Sequence, residues 1–152
     1  MTLPGKPIIL CVDDQSGNLR IRAMMLEQFG CIALTAIDHK SALRAASEKA
    51  PDLAVIDYHL ANGENGEQLA HDLRVLCPRV LLIMLTGDFK LPPSAADSVD
   101  AVLIKGAGGP PALLELIQKL LPGAPLLHVV PKEKAATPKA QGAFDDGRNK
   151  AS

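Results

Sequence analysis

The chain has 152 residues, of which 47% are hydrophobic, so we expect one domain with a proper core and room for a tail. A formal net charge of −1 and an aromatic content of 3% without tryptophan argue against a nucleic-acid-binding face and against aromatic stacking sites. Cys11, Cys31 and Cys77 form no C-x-x-C pair, and the start MTLPGKPIILCVDD predicts neither a signal peptide nor a membrane span, so we expect a cytoplasmic protein.

Short apolar runs recur along the chain and predict five strands. They are too short for helices and largely lack polar alternation, which is typical of strands buried on both faces of a parallel sheet. The runs are IILCV (8–12), CIALTA (31–36), LAVI (53–56), VLLIML (80–85) and AVLI (101–104).

Segments with helical periodicity lie between the apolar runs. In the first of them, Leu19, Ala23 and Leu26 form a stripe that Gly30 ends, and Asp38 is placed to cap the second. The predicted helices are 17–29, 38–49, 66–76 and 111–121. The alternation of strand and helix implies an α/β fold in which helices cover both faces of an open, doubly wound parallel sheet.

Two stretches depart from this rhythm. Residues 87–100 contain Pro92 and Pro93, which leaves a fourth helix of only about two turns. Beyond residue 122 the chain is rich in proline, alanine and lysine without periodicity. We therefore predict an arm at 1–5, a domain at 6–122 and a disordered tail at 123–152.

Polar side chains follow four of the predicted strands. Asp13 and Asp14 come after the first strand, Asp57 after the third, Thr86 after the fourth and Lys105 after the fifth. The carboxyl ends of parallel strands meet at one edge of a sheet, and ligands bind there in folds of this class. We therefore expect three acids, a hydroxyl and an ammonium to share one site.

This combination of groups suits phosphoryl transfer. Carboxylates about 4 Å apart repel each other by about 4 kcal/mol at an effective dielectric of about 20, so the acids favour a cation. Oxygen ligands of this kind suit Mg²⁺ or Mn²⁺. With that charge neutralised, Asp57 can attack a phosphoryl group whose remaining oxygens Lys105 and Thr86 hold, which gives an aspartyl phosphate.

At residues 6–121 the sequence resembles the receiver domain of the two-component response regulators, either stand-alone or of the kind attached to hybrid sensor kinases. The matching stretches, in order, are ILCVDD, AVIDYHL, MLTGD and VLIK. The resemblance implies a flavodoxin-like fold with strand order 2-1-3-4-5. It also implies a phosphoryl donor, which is a histidine kinase or a histidine phosphotransfer protein.

The resemblance also assigns a role to each residue of the predicted site. Asp57 is the phosphoacceptor, Asp14 and Asp57 bind Mg²⁺ directly, and Asp13 acts mainly through water. The other implied roles are a third protein ligand from the main-chain carbonyl of His59, a switch hydroxyl on Thr86 and a phosphate-pairing amine on Lys105.

Three features differ from the usual pattern of these receivers. Gly106 follows Lys105 where a proline is usual, Val102 stands where an aromatic residue is common, and the fourth helix is short. The catalytic residues are therefore all present, whereas the surface that usually transmits the signal is altered.

The leading hypothesis is a stand-alone, monomeric receiver that signals to an unknown downstream protein and binds neither nucleic acid nor membrane. It is not an enzyme beyond its own phosphorylation and dephosphorylation. A phosphorylation-silent degenerate receiver, acting as an interaction module, is an alternative. A remote alternative is an aspartyl-phosphate phosphohydrolase of the haloacid-dehalogenase type, but that family has D-x-D-x-T after its first strand, where this chain has DDQSG.

Overall fold

The computed structural model describes residues 5–87, 91–106 and 108–122. Strands and helices alternate through these residues, with one short 3-10 turn between β3 and α3 at Ala61–Gly63. The strands are β1 (Ile8–Val12), β2 (Ile32–Ala36), β3 (Leu53–Asp57), β4 (Leu81–Thr86) and β5 (Ala101–Ile104). The helices are α1 (Ser16–Gln28), α2 (His39–Glu48), α3 (Gly66–Leu76), α4 (Pro93–Asp97) and α5 (Gly109–Leu120).

The five strands form one parallel sheet in the order β2-β1-β3-β4-β5, as predicted. After β1 the chain moves to one side for β2 and then crosses to the other side for β3. The carboxyl ends of β1 and β3 therefore flank the point where the strand order reverses, which is where sheets of this kind bind ligands. The β1–β3 register, in which Val12 pairs with Ile56, brings the acids that follow these residues side by side.

Two apolar layers cover the sheet, one on each face. Leu10 of β1 packs with the buried residues of α2 and α3, whereas Ile9 of the same strand packs with those of α1 and α5. Successive side chains of a strand point to opposite faces, so a strand covered on both sides must be apolar throughout. This explains the continuous apolar runs in the sequence.

Local signals define the helix ends. Asp38 Oδ1 accepts the main-chain N–H of Ser41 at 2.8 Å, and Ser41 Oγ accepts the N–H of Asp38 at 3.2 Å, which forms a capping box before α2. Beyond the end of α1, Gly30 has φ 90°, a conformation that favours glycine. Both helix boundaries agree with the sequence prediction.

The fourth helix is shorter than the predicted two turns, since α4 contains only five residues. Pro92 precedes it and Pro93 is its first residue, so the helix cannot extend backwards. Asp100 limits the other end, because its main chain and its carboxylate both bond to Leu82 of β4. Among the described residues, none of the helices has the length and apolar character needed to cross a membrane. Residues 1–4 of the predicted arm and the predicted tail lie outside the described residues.

Candidate functional site

Asp57 is the last residue of β3, and its side chain is almost completely buried. One carboxylate oxygen, Oδ2, lies 2.8 Å from Nζ of Lys105. The other, Oδ1, accepts the main-chain N–H of His59 at 3.3 Å. The strand pairing places Asp57 beside Leu85 of β4. The carboxylate is therefore held from two sides, by an ammonium group and by the main chain of the turn that follows β3.

Burial and charge oppose each other at this carboxyl group. Burial raises the pKa of Asp57, and the nearby charge of Asp13 raises it further. The hydrogen bond and positive charge of Lys105 lower the pKa, as does the His59 N–H. The pKa of Asp57 is raised overall. The surrounding positive charge therefore does not fully compensate for the burial of the ionised carboxylate. An additional cation would stabilise this form.

Asp13 is fully buried, and nitrogen donors surround its carboxylate. Oδ1 accepts the main-chain N–H of Gln15 at 2.9 Å. Oδ2 lies 3.4 Å from Nδ2 of Asn18, 3.5 Å from Nη1 of Arg22 and 4.0 Å from Nζ of Lys105. Both oxygens are thus in contact with protein groups.

The three acids form a cluster that fits a divalent cation. Carboxylate oxygens of Asp13, Asp14 and Asp57 all lie within 4.8 Å of one another. Asp14 is exposed, whereas the other two are buried, so the cluster opens to solvent on one side. Oxygen donors beside water suit Mg²⁺, which usually keeps several of its water ligands. His59 follows in the turn after β3, where its main chain pairs with Asn65.

Thr86 ends β4 and is fully buried. Its main-chain carbonyl accepts the N–H of Lys105 at 2.7 Å, and Thr86 pairs with Ile104 in the β4–β5 register. This pairing aligns the ends of the two strands and directs Lys105 toward the carboxylates. The structure therefore brings together Asp13, Asp14, Asp57 and Lys105 in one cluster, with Thr86 at the adjacent strand end.

Gly66, at the start of α3, has a role that was not predicted from the sequence. A Cβ atom at this position would lie 2.9 Å from the main-chain oxygen of Asp57 and 2.7 Å from Sδ of Met84, closer than real Cβ atoms come. The N–H of Gly66 donates to the carbonyl of Tyr58 at 2.7 Å. Glycine thus lets α3 begin directly against the end of β3. The only sequence signal was the NGENG stretch, which predicts just a turn.

The role of Arg22 was also missed. Its side chain is only 14% exposed, and it lies between the buried residues Leu19 and Leu26 on the inner face of α1. Spacings of three and four residues place these three side chains on the same face. A charged residue within an apolar stripe was the signal, because such a group needs a partner of opposite charge.

The cysteines and His39 lie outside the acidic cluster. Burial raises the pKa of Cys11 to about 12 and that of Cys31 to about 11, so both stay protonated thiols within the core. His39 is partly buried, and its Nε2 lies 2.8 Å from Oδ2 of Asp72. This contact joins α2 to α3.

Comparisons with known proteins identify the family of the chain and agree with its fold. The family model of the response regulator receiver domain matches residues 9–103 of this chain. A CheY-like receiver domain protein from Methanospirillum hungatei JF-1 is 29% identical, with a TM-score of 0.70 over 78% of this chain and 95% of that one. The signal receiver domain of an HD domain-containing protein from Pseudomonas fluorescens Pf-5 is 25% identical, with a TM-score of 0.71 over 80% of this chain and 91% of that one.

A third structure extends the fold comparison. The response regulator protein TrrA from Thermotoga maritima, solved in complex with Mg²⁺-BeF, is 24% identical, with a TM-score of 0.69 over 76% of this chain and 99% of that one. None of the curated proteins matches the chain significantly. The family model covers well over half of the chain, and the chain belongs to the response regulator receiver domain family.

Proposed function

We propose that the protein accepts a phosphoryl group on Asp57 from a histidine kinase or a histidine phosphotransfer protein. The reaction depends on Mg²⁺ or Mn²⁺, and the phosphorylated form signals to another protein by direct contact. One observation carries the proposal: a buried Asp57 receives a 2.8 Å hydrogen bond from Lys105 within a cluster of three carboxylates. Membership of the receiver family supports the same function.

In the proposed reaction, a carboxylate oxygen of Asp57 attacks the phosphorus atom. The new bond joins this oxygen to phosphorus, and the bond from phosphorus to the donor histidine nitrogen breaks, so the imidazole leaves with the electron pair. Lys105 and Thr86 hold the other phosphoryl oxygens, since positioned donors stabilise the charge that spreads over them in transfer. Lys105 already lies beside Asp57, so its ammonium group needs only to transfer its hydrogen bond from the carboxylate to a phosphoryl oxygen.

The metal ligands we propose are the carboxylates of Asp14 and Asp57 and the main-chain carbonyl of His59. A bound Mg²⁺ supplies positive charge beside the acceptor, which lowers the repulsion between Asp57 and an incoming phosphoryl group. Asp13 acts mainly through water, which is the role that the resemblance to receiver domains implies for it. We place this function in a unit spanning residues 6–122.

Intact mass spectrometry tests the acceptor assignment. Incubation with Mg²⁺ and phosphoramidate should add one phosphoryl group to the wild type and none to Asp57→Asn. Asp72→Asn makes the same substitution on α3, away from the acidic cluster, and should be phosphorylated like the wild type. A wild type that gains no mass, or an Asp57→Asn variant that does, would contradict the proposal.

A phosphorylation-silent interaction module is the second candidate. It is favoured by the five-residue α4 and by Val102, which offers no aromatic ring on β5. The same experiment distinguishes the two candidates, because a silent module would gain no phosphoryl group from any donor. The intact set of acids and the placed lysine favour the phosphoacceptor.

A further inference from the structure

Arg22 brings a second positive charge to the acidic cluster. Its Nη1 atom lies 3.5 Å from Oδ2 of Asp13, and the side chain is only 14% exposed. Nη1 is itself buried and has no hydrogen-bond partner within the described part of the chain. The contact between Arg22 and Asp13 is therefore an ion pair held by charge, without a well-directed hydrogen bond.

Arg22 and Lys105 act on the same oxygen atom. Lys105 Nζ lies 4.0 Å from Oδ2 of Asp13 and 2.8 Å from Oδ2 of Asp57. Three carboxylates thus face two cations, which leaves one net negative charge in place of the two that Lys105 alone would leave. Charges at these separations interact strongly where water is largely excluded. A divalent cation that binds in the cluster therefore meets carboxylates whose negative charge Arg22 and Lys105 already partly neutralise.

We propose that Arg22 is a built-in competitor of the divalent metal. It lowers the affinity of the cluster for Mg²⁺ and stabilises the cluster while no metal is bound. Arg22 acts through Asp13 and is thus a positioning residue, not a metal ligand. The inference rests on the proposed function in one respect, since it takes the three carboxylates as the Mg²⁺ site.

The surroundings of Arg22 give its side chain room to move when a metal binds. A cleft of about 340 Å³ lies between α1 and the turn from β5 to α5. Its polar lining includes Asn18, Arg22 and Lys105, and its apolar lining includes Met25 and Leu113. A long arginine stem can pack along such apolar walls while its charged group moves away from Asp13. The metal can then displace the guanidinium without unfolding α1.

Calorimetric titration of the metal-free protein with Mg²⁺ tests the proposal. Arg22→Met keeps a long apolar side chain and removes the charge, so it should bind Mg²⁺ about tenfold more tightly than the wild type, a difference of about 1.4 kcal/mol. Arg20→Met removes the same charge from an exposed position on the same helix and should leave the affinity within about twofold. Arg22→Lys, which keeps the charge, should also stay close to the wild type.

Thermal unfolding provides a second measurement that does not depend on phosphorylation. In EDTA, Arg22→Met should melt below Arg20→Met because the charge of Asp13 is less well compensated. On addition of Mg²⁺ its melting temperature should rise more than that of either the wild type or Arg20→Met. Arg22→Gln gives the same comparison with a polar side chain and serves if the methionine variant does not fold.

The possible results separate this inference from the proposed function. If the wild type binds Mg²⁺ and is phosphorylated, but the Arg22→Met and Arg22→Gln variants bind Mg²⁺ no more tightly, only the role of Arg22 is wrong. If neither the wild type nor these variants binds Mg²⁺, both the inference and the proposed metal site are overturned. If an Arg22 variant binds Mg²⁺ and the wild type does not, Arg22 prevents metal binding completely, which supports the inference.

Discussion

At the scale of single residues, the site depends on a buried carboxylate that its surroundings only partly neutralise. Burial raises the pKa of Asp57, and the hydrogen bond from Lys105 offsets part of that effect. A buried charge without enough compensation is costly, so the group favours a new positively charged neighbour. The cluster thus combines a buried carboxylate oxygen with a preference for a cation, which are the two features that the proposed phosphoryl transfer needs.

His59 is the residue we expect to set the lifetime of the phosphoryl group. Its side chain is exposed, and its ring packs edge-to-face on Tyr58 at a centroid distance of 4.8 Å. We hypothesise that the imidazole restricts the approach of water to Asp57. His59→Ala should then shorten the lifetime of the aspartyl phosphate by up to about tenfold, which corresponds to about 1.4 kcal/mol of barrier.

The decay of the phosphorylated mass after removal of the donor measures this lifetime. His71→Ala removes an exposed imidazole from α3 and is the matched control. A lifetime in His59→Ala that equals or exceeds that of the wild type would show that the imidazole does not limit water entry. Asp88, which we expect on the other side of this approach, lies outside the described residues.

At the scale of elements, the start of a helix depends on a charged side chain. The capping box joins Asp38 and Ser41 at the start of α2. The side-chain and main-chain hydrogen bonds from Ser41 hold the pKa of Asp38 below its usual value. A carboxyl group with a lowered folded-state pKa stabilises the fold above its unfolded-state pKa, and this contribution is lost as the pH falls through the folded-state value.

Removal of this cap should therefore have a pH-dependent effect. Asp38→Ala should lower the melting temperature by a few degrees at neutral pH, and the difference from the wild type should shrink as the pH falls below about 4. Glu48→Ala, at the other end of α2, should have little effect at either pH. Melting curves recorded by circular dichroism across the acid range check this. A difference that stayed constant with pH would mean that the charge of Asp38 contributes nothing.

At the scale of the whole molecule, the altered face is the one formed by α4, β5 and α5. The resemblance to receiver domains implies that this face usually transmits the signal. Here α4 has five residues and contributes Ala95 to the core, and Val102 is 36% exposed on β5. Its five residues offer about two thirds of the contact length of the two-turn helix that the sequence predicted. Helix α1, which packs beside α5 on the same face of the sheet, exposes two large apolar side chains, since Ile21 and Met24 are 67% and 55% exposed.

We therefore predict that phosphorylation does not drive dimerisation through the altered face. Light scattering should give the mass of a monomer both before and after addition of Mg²⁺ and beryllofluoride, which mimics the phosphoryl group. A shift to a dimer that Val102→Glu abolishes would show that the face still functions. Lys90, another position suited to such a charge change, lies outside the described residues. We expect partner proteins to bind at α1 or at the acidic loops instead.

Much of this architecture could be predicted from the sequence because its signals are local. Continuous apolar runs identify strands that are covered on both faces, and the residue after each run identifies a strand end. For the same reason Asp13, Asp14, Asp57, Thr86 and Lys105 could be assigned to one edge of the sheet from their positions in the sequence. The length of α4 was overestimated, because the bonds between Asp100 and Leu82 that fix the start of β5 join residues distant in sequence.

The sequence by itself thus determined the sheet and the acidic cluster, since these follow from periodicity and from residue types at strand ends, and its ordered motifs carry the resemblance to the receiver family. Only the tertiary structure decided what surrounds Asp13 and Asp57. The fit of Gly66 against the Asp57 carbonyl and the reach of Arg22 to Asp13 depend on distances of a few ångströms between separate elements. Sequence spacing indicates which face of a helix a residue occupies, but it carries no information about which atom that residue meets on the neighbouring strand.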